Sequence, residues 1–230
     1  MKKGIGNPVW LRLFLRIGVI SVILAGILCI ANLAGMEEMK DFLTITARAA
    51  ETKDTVVVLG ADLSAEQRAE VLNLMGLTEE ELANCTVLSI TNEMEHAYLD
   101  AYLDASVIGT KSLSSVKITK AAEGSGVKVT TKNINYCTTG MYRNALLTAG
   151  MKDTDVLVVG PTPISGTAGL IGALKAYEVM AGETVSDAVL DTALDELITT
   201  GELAESIQGG DGADEAEALI AWLKGKVASG

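Results

Sequence analysis

Ser165, Gly166 and Thr167 are the residues whose types and spacing best suit chemistry. They follow an apolar run, Val156 to Val159, that is closed by Gly160 and the prolines at 161 and 163, and they precede a helical run ending at Met180. A strand, a turn and the start of a helix bring backbone amides and hydroxyls to one point, which suits an anionic or carbonyl group. The same hydroxyls, on Ser165 or Thr167, can instead cap the helix. As a nucleophile Ser165 needs a base. No histidine or metal cluster lies close by in sequence, so a carboxylate or lysine from elsewhere has to supply it. The glycine spacing of a nucleophile elbow is missing, because Pro163 and Thr167 stand two residues either side of Ser165.

Other matches are weaker. His96, the one histidine of the chain, sits beside Tyr98 and Tyr102, as a ligand, an acid or base, or a packing residue. Gly109-Thr-Lys-Ser112 has the end of a phosphate-binding loop, but the glycine five positions earlier is absent and a strand follows where a helix has to begin. Ser114 and Lys117 have the spacing of a serine-lysine pair. In a strand, residues three apart point to opposite faces, which rules out activation of one by the other. Gly209 to Asp214 fits a calcium-binding nonapeptide once, and those sites need stacked repeats. No metal and no cofactor are expected.

A second candidate surface is electrostatic. Ser112 to Lys120 and Val127 to Tyr136 alternate, and Glu123-Gly-Ser-Gly126 joins them as the turn of a hairpin. Val116, Ile118, Val127 and Val129 then share one face, leaving Lys117, Lys128, Thr130 and Lys132 on the other. An anionic wall polymer would dock on that basic face; a solvated sheet face has the same pattern.

Charge bounds the partners. Six of the 18 basic and three of the 30 acidic residues precede Ala50, which leaves a net charge of −15 after it. Such a surface repels nucleic acid and anionic lipid, so phosphate-backbone binding is not expected. Cys29 lies in the apolar N-terminal stretch, leaving Cys85 and Cys137 as the one possible pair beyond it; a buried free thiol is the commoner use.

Four basic residues and no acidic one lie between Met1 and Arg16, and Ile17 to Ala34 then runs eighteen residues without charge. As a helix that run is about 27 Å long, close to a bilayer core. Acidic residues follow it, so the positive-inside rule places the remainder outside the membrane. Ala47-Arg48-Ala49 has cleavage-site chemistry but lies far behind the apolar core, so both a cleaved signal and a retained anchor are consistent. Residues 1–35 are thus expected to be a signal peptide or transmembrane anchor, 36–53 a linker and 54–230 an extracytoplasmic domain.

The elements that must position these residues alternate. Val56 to Gly60, Thr86 to Ile90, the two alternating segments and Asp155 to Val159 read as strands. Ser64 with Gln67 forms a capping box for a helix ending at Met75 before Gly76, and Asn92 with Glu95 forms another for a helix through Leu103. Further helices are expected from Thr138 to Ala149, after Thr167, from Val185 to Ile207 with a break near Gly201, and from Ala213 to Val227. Gly166, Gly169, Gly172, Ala173 and Ala176 give the glycine-lined helix a small-residue strip for close packing. The last helix has Leu219, Trp222, Leu223 and Val227 on one side, to cover the sheet. The expected fold is α/β, a single domain on a mixed sheet of about five or six strands flanked by helices and preceded by an N-terminal signal or anchor helix.

Val58-Leu-Gly-Ala-Asp-Leu63, Thr91-Asn-Glu93, Ile108-Gly-Thr-Lys-Ser112, Pro163-Ile-Ser-Gly-Thr-Ala168 and Thr200-Gly-Glu-Leu203 occur here in order. Over about residues 55 to 208 this pattern resembles the YpuA-like group of exported Gram-positive proteins, a domain of unknown function. The resemblance implies an extracytoplasmic protein and no established enzyme activity. With no complete catalytic set, the expected function is a cell-envelope binding module for a wall polymer, peptide or envelope protein, tethered to the membrane or secreted. The alternative is an extracytoplasmic hydrolase using the turn from Ser165 to Thr167.

Overall fold

The computed structural model describes residues 54–207 and 212–229; the expected signal or anchor segment and linker, residues 1–53, lie outside the described residues. Among the described residues no helix is long and apolar enough to cross a membrane. Five strands, β1 (Thr55–Gly60), β2 (Thr86–Ile90), β3 (Ser115–Lys120), β4 (Val127–Ile134) and β5 (Thr154–Ile164), form one sheet in the order β2-β1-β3-β5-β4. β3 runs against the other four, so the sheet is mixed as expected. The helices are α1 (Ala65–Met75), α2 (Glu79–Leu82), α3 (Asn92–Leu99), α4 (Ala105–Ile108), α5 (Thr139–Thr148), α6 (Thr167–Ala181), α7 (Asp187–Ser206) and α8 (Gly212–Ser229).

Unbroken apolar strands bury both faces, because successive side chains point to opposite sides. Val57, Leu59 and Val159 meet Val71, Leu72 and Met75 of α1 and Leu82 of α2 on one side. On the other, Val56, Val58, Val116, Ile118, Val156 and Val158 pack with α5 and α6. The small-residue strip of α6 faces the sheet: a Cβ on Gly169 would lie 2.5 Å from Val158 Cγ1, and one on Gly172 would lie 3.2 Å from Val58 and Val116. α7 packs on α5, and α8 packs on both.

Capping at α1 is as expected, with Gln67 N donating to Ser64 Oγ at 3.2 Å and Gly76 closing the helix in the left-handed region at φ 67°. Several other expectations are corrected. β3 and β4 form no hairpin, because β5 pairs antiparallel with β3 and parallel with β4 and so lies between them. The connection of six residues, 121–126, spans the roughly 10 Å across two strand spacings. β5 also continues through both prolines to Ile164. Its pairing with β3 ends at Val159, so Pro161 and Pro163 stand where that ladder asks for no N–H.

Thr91, not Asn92, caps α3, which ends at Leu99, and neither Ser165 nor Thr167 caps α6, whose N-cap is Gly166. α7 runs through Gly201 without a break. Cys85 and Cys137 form no disulfide with each other: Cys137 is buried in the core on one face of the sheet, and Cys85, partly buried, packs against the core on the other. The apolar side of α8 looks outward, with Trp222 57% and Val227 83% exposed, because Lys224 seats the helix instead. Its ammonium pairs with Glu196 at 2.5 Å and donates to Asn144 O at 3.1 Å.

Gly60 ties the end of β1 to the segment leading into β3. A Cβ there would meet the Ser112 carbonyl oxygen and lie 2.8 Å from Leu113 Cα, while Asp62 holds the same segment by accepting from Ser112 N at 2.7 Å. Backbone atoms on both sides leave no flexible neighbour to yield. Gly60→Ala is therefore expected to lower unfolding free energy by about 1–3 kcal/mol in urea titration, the usual cost of overpacking.

Candidate functional site

The parallel strands end along one edge of the sheet, where ligand sites of open α/β sheets form. α3 follows β2 there, α6 follows β5, and the segment 109–114 enters β3 from the same edge. Between them lies a cleft of about 470 Å³, lined by Glu95, Val107, Ile108, Gly109, Thr110, Lys111, Leu113, Ser114, Asn135, Tyr136, Ile164, Ser165, Thr167 and Ala168, among others.

The N-terminus of α6 forms its inner wall. Gly166, at φ 97°, is the N-cap and carries no side-chain capping bond. A Cβ on it would lie 2.5 Å from Tyr142 Oη and 2.7 Å from Ile134 Cγ2, so a glycine is needed both for conformation and for space. Tyr142 Oη donates to Gly166 O at 2.6 Å, and Ser114 Oγ accepts from Gly169 N at 2.8 Å. Two groups brought in from α5 and from the approach to β3 thus hold the first turn. The amides of Thr167 and Ala168, which have no intrahelical acceptor at these positions, border the cleft.

Glu95 is the buried acid of this site, with 1% of its surface exposed. Its Oε1 accepts from Thr167 Oγ1 at 2.8 Å, and Ser165 Oγ lies 3.3 Å from the same threonine oxygen. Oε2 is enclosed and makes no hydrogen bond, and neither does Ser112 Oγ. Burial raises the Glu95 carboxyl above the usual glutamate range; Thr167, Asn92 and Ser112 oppose this without cancelling it. Asn92 and Ser112 are close enough to act on its charge but fall outside hydrogen-bonding geometry to Oε2.

His96, one residue on, faces away from the acid and ties down the outer wall. Nδ1 lies 2.6 Å from Asp100 Oδ1 and Nε2 lies 2.9 Å from Gly109 O. Both partners offer acceptor oxygens, an arrangement that favours the doubly protonated ring. Asp100 first, then the Gly109 carbonyl, raises its pKa. Cys137 lies behind the turn, its thiol pushed up to about 12 by burial, which removes it as a nucleophile at neutral pH.

Ser165, Gly166 and Thr167 therefore come together at the cleft, whereas the lysines lie on the other face of the sheet. Lys117 Nζ donates to Met75 O at 2.5 Å and Lys132 Nζ to Leu74 O at 2.7 Å. α1 has no basic residue in its last turn, so these two supply from the sheet the positive charge that a helix C-terminus favours. Lys128 is exposed on β4, opposite Asp155 in the register. In sequence Glu95 reads only as a capping residue, Ser114 only as a rejected partner of Lys117 and Lys111 only as part of an incomplete phosphate-loop match, while Asn135 carries no signal. For Glu95 a signal existed: it lies four residues before Leu99, on the helix face that is fully buried.

Comparison with known proteins adds no activity. A model described as "Protein of unknown function (DUF1002)" matches residues 59–230. The chain is 45% identical over 171 residues to "Uncharacterized protein YpuA" of Bacillus subtilis (strain 168), an alignment covering 74% of this chain and 56% of that protein. The chain thus spans about half the length of the curated relative it matches. No solved structure matches it.

Two pH effects follow. Raising the pKa of an acid means that its ionised form costs stability in the fold. Glu95→Gln is therefore expected to match the wild type below the ordinary glutamate value of 4.5 and to exceed it increasingly as pH rises through the raised value. A plateau of about 1–2 kcal/mol in urea titrations at neutral pH is expected. For His96 the sign is the same for a different reason. The raised pKa of a base gives stability that is complete below its ordinary value of 6.5 and is lost as pH rises through the folded value. Hydrogen exchange at Thr110 and Lys111, corrected for intrinsic rate, is expected to accelerate across that range and to lose this step in His96→Gln.

Proposed function

The chain belongs to the DUF1002 family of proteins of unknown function, and from its geometry we propose a non-catalytic binding module of the cell envelope that takes a polar group of its ligand into the Glu95 cleft. One observation carries the reading: the first residues of α6, whose N-cap Gly166 offers no side chain to cap them, line a cleft of about 470 Å³ together with Ser165 and Lys111. Such a helix start suits a polar or anionic group of a ligand.

The extracytoplasmic location rests on the sequence: positive charge only before the uncharged run, and an acidic remainder. The domain is then secreted or tethered to the membrane by its N-terminal segment, and its ligands are a wall component, a peptide or an envelope protein. With Lys117 and Lys132 engaged at α1, the cleft is a better docking point than the lysine face.

A hydrolase is the second reading, favoured by the chain of contacts from Ser165 through Thr167 to Glu95. Thr167 separates the serine from the acid, so Ser165 has no direct base, and binding is the stronger reading. Soluble wall muropeptides titrated into the full chain are expected to shift amide resonances of Lys111, Asn135 and Ala168. Ser165→Ala should weaken binding about tenfold, and Lys128→Ala should leave it unchanged. Perturbations confined to the Lys128 face would move the site there. Labelling of the wild type, but not Ser165→Ala, by a fluorophosphonate would replace binding with hydrolysis.

A further inference from the structure

The face that α8 turns away from the domain carries an ordered row of side chains. Its inner side is held by the buried Ala216, by the ion pair of Glu217 with Arg143 and by Lys224. On the opposite side Glu215, Leu219, Trp222 and Lys226 follow one another at steps of four, three and four, the spacing that keeps residues on one helix face. All four are exposed, Leu219 by 42% and Trp222 by 57%. Leu223 and Val227 flank the row on one side. On the other, Ala218, Ala221 and Gly225 present nothing bulky that would hold a second helix off.

A contiguous apolar stripe on a surface marks a contact, and the order of the charges identifies the partner. An acid opens the row, two large apolar residues fill its centre and a base ends it, so the row is complementary to itself read backwards. Laid antiparallel on a second copy, Glu215 of each chain faces Lys226 of the other while Leu219 faces Trp222. One register satisfies both pairings, because the two pairs share a midpoint. A parallel arrangement would set acid against acid and base against base. The domain's excess of negative charge opposes self-association in general, and along this row the charge is balanced. The Lys226 ammonium lies 5.6 Å from the centroid of the Trp222 ring, which keeps it along the row.

We infer that α8 pairs with α8 of a second copy of this chain in a two-fold antiparallel dimer, with Leu219 and Trp222 at its centre and ion pairs of Glu215 with Lys226 at both ends. One patch serves both sides, so the contact closes at two chains. Each flank meets its own counterpart, and Leu223 and Val227 of both copies close over one edge. The pairing stands apart from the cleft and does not rest on it. A row about 16 Å long offers less than the roughly 800 Å² per partner of a standard interface, so the dimer is weak, with a dissociation constant on the order of 10–100 μM.

Carbodiimide treatment of the full chain at about 100 μM, followed by peptide mass spectrometry, tests the register. Glu215 and Lys226 lie about 16 Å apart along one α8, so an amide bond joining their side chains directly connects two chains. That bond is expected, with about tenfold less of it in Trp222→Ala. Sedimentation velocity tests the charges. Glu215→Lys and Lys226→Glu should each weaken association about tenfold, whereas an equimolar mixture of the two variants, or the chain carrying both changes, should recover it. All three positions are exposed, so the substitutions leave the fold in place. Absence of the amide bond, or an equal yield from Trp222→Ala, would overturn the dimer. Association that persists unchanged in every variant would move it to another surface and overturn this one. Binding of the wild type to vesicles of anionic phospholipid, lost in Trp222→Ala and without the amide bond, would give the face to a membrane instead.

Discussion

The close seat of the first turn of α6 is the constraint on which the rest depends. Gly166 lies against Tyr142 and Ile134, and Gly169 against Val158, at distances that leave no room for a methyl group. Because the turn comes this close, its backbone can be held by single groups reaching in from elsewhere, the Tyr142 phenol and the Ser114 hydroxyl. No local side chain is then needed as a cap, and the amides of Thr167 and Ala168 stay open to the cleft. Larger residues at 166 or 169 would push the helix outward and undo both contacts.

Much of this was legible in the sequence. Apolar runs ended by glycine marked β1 and the first part of β5, and the small residues of α6 reported close packing correctly, although the neighbour proved to be the sheet. The α1 boundaries followed from Ser64, Gln67 and Gly76, since both caps are local hydrogen-bond arrangements. Strand order was another matter. Alternation and a glycine turn between β3 and β4 are local signals, and they do not exclude a third strand arriving later in the chain to pair with both. The prolines misled in a similar way, because their effect depends on whether a neighbour is present beyond Val159, which only the tertiary structure decides.

The site divides along the same line. Ser165, Gly166 and Thr167 are contiguous, so a strand-turn-helix pattern could expose them. Glu95 comes from another helix, and the spacing from Asn92 invited a capping role that Thr91 performs instead. The lysines show the converse. Lys117 and Lys132 form a basic stripe on the strand pattern, yet their ammonium groups satisfy the last carbonyls of α1, a helix with no cation of its own in its final turn. Charge on a strand reads as a surface until the helix that uses it is in place.

Glu95 is hard to account for as part of the framework alone. Leaving a buried polar atom unsatisfied costs about 1–3 kcal/mol, a sizeable part of the roughly 5–15 kcal/mol that holds a domain folded. Glutamine would keep the bond to Thr167, offer Ser112 a donor and carry no ionisation cost. The α8 surface makes a useful contrast: Trp222 and Val227 are also exposed contrary to their chemistry, but there the Lys226 ammonium lies over the Trp222 ring and no cleft outlines a ligand. At the cleft, by contrast, the start of α6, the Ser165 hydroxyl and the rim lysine line one accessible space, a setting that favours an acceptor.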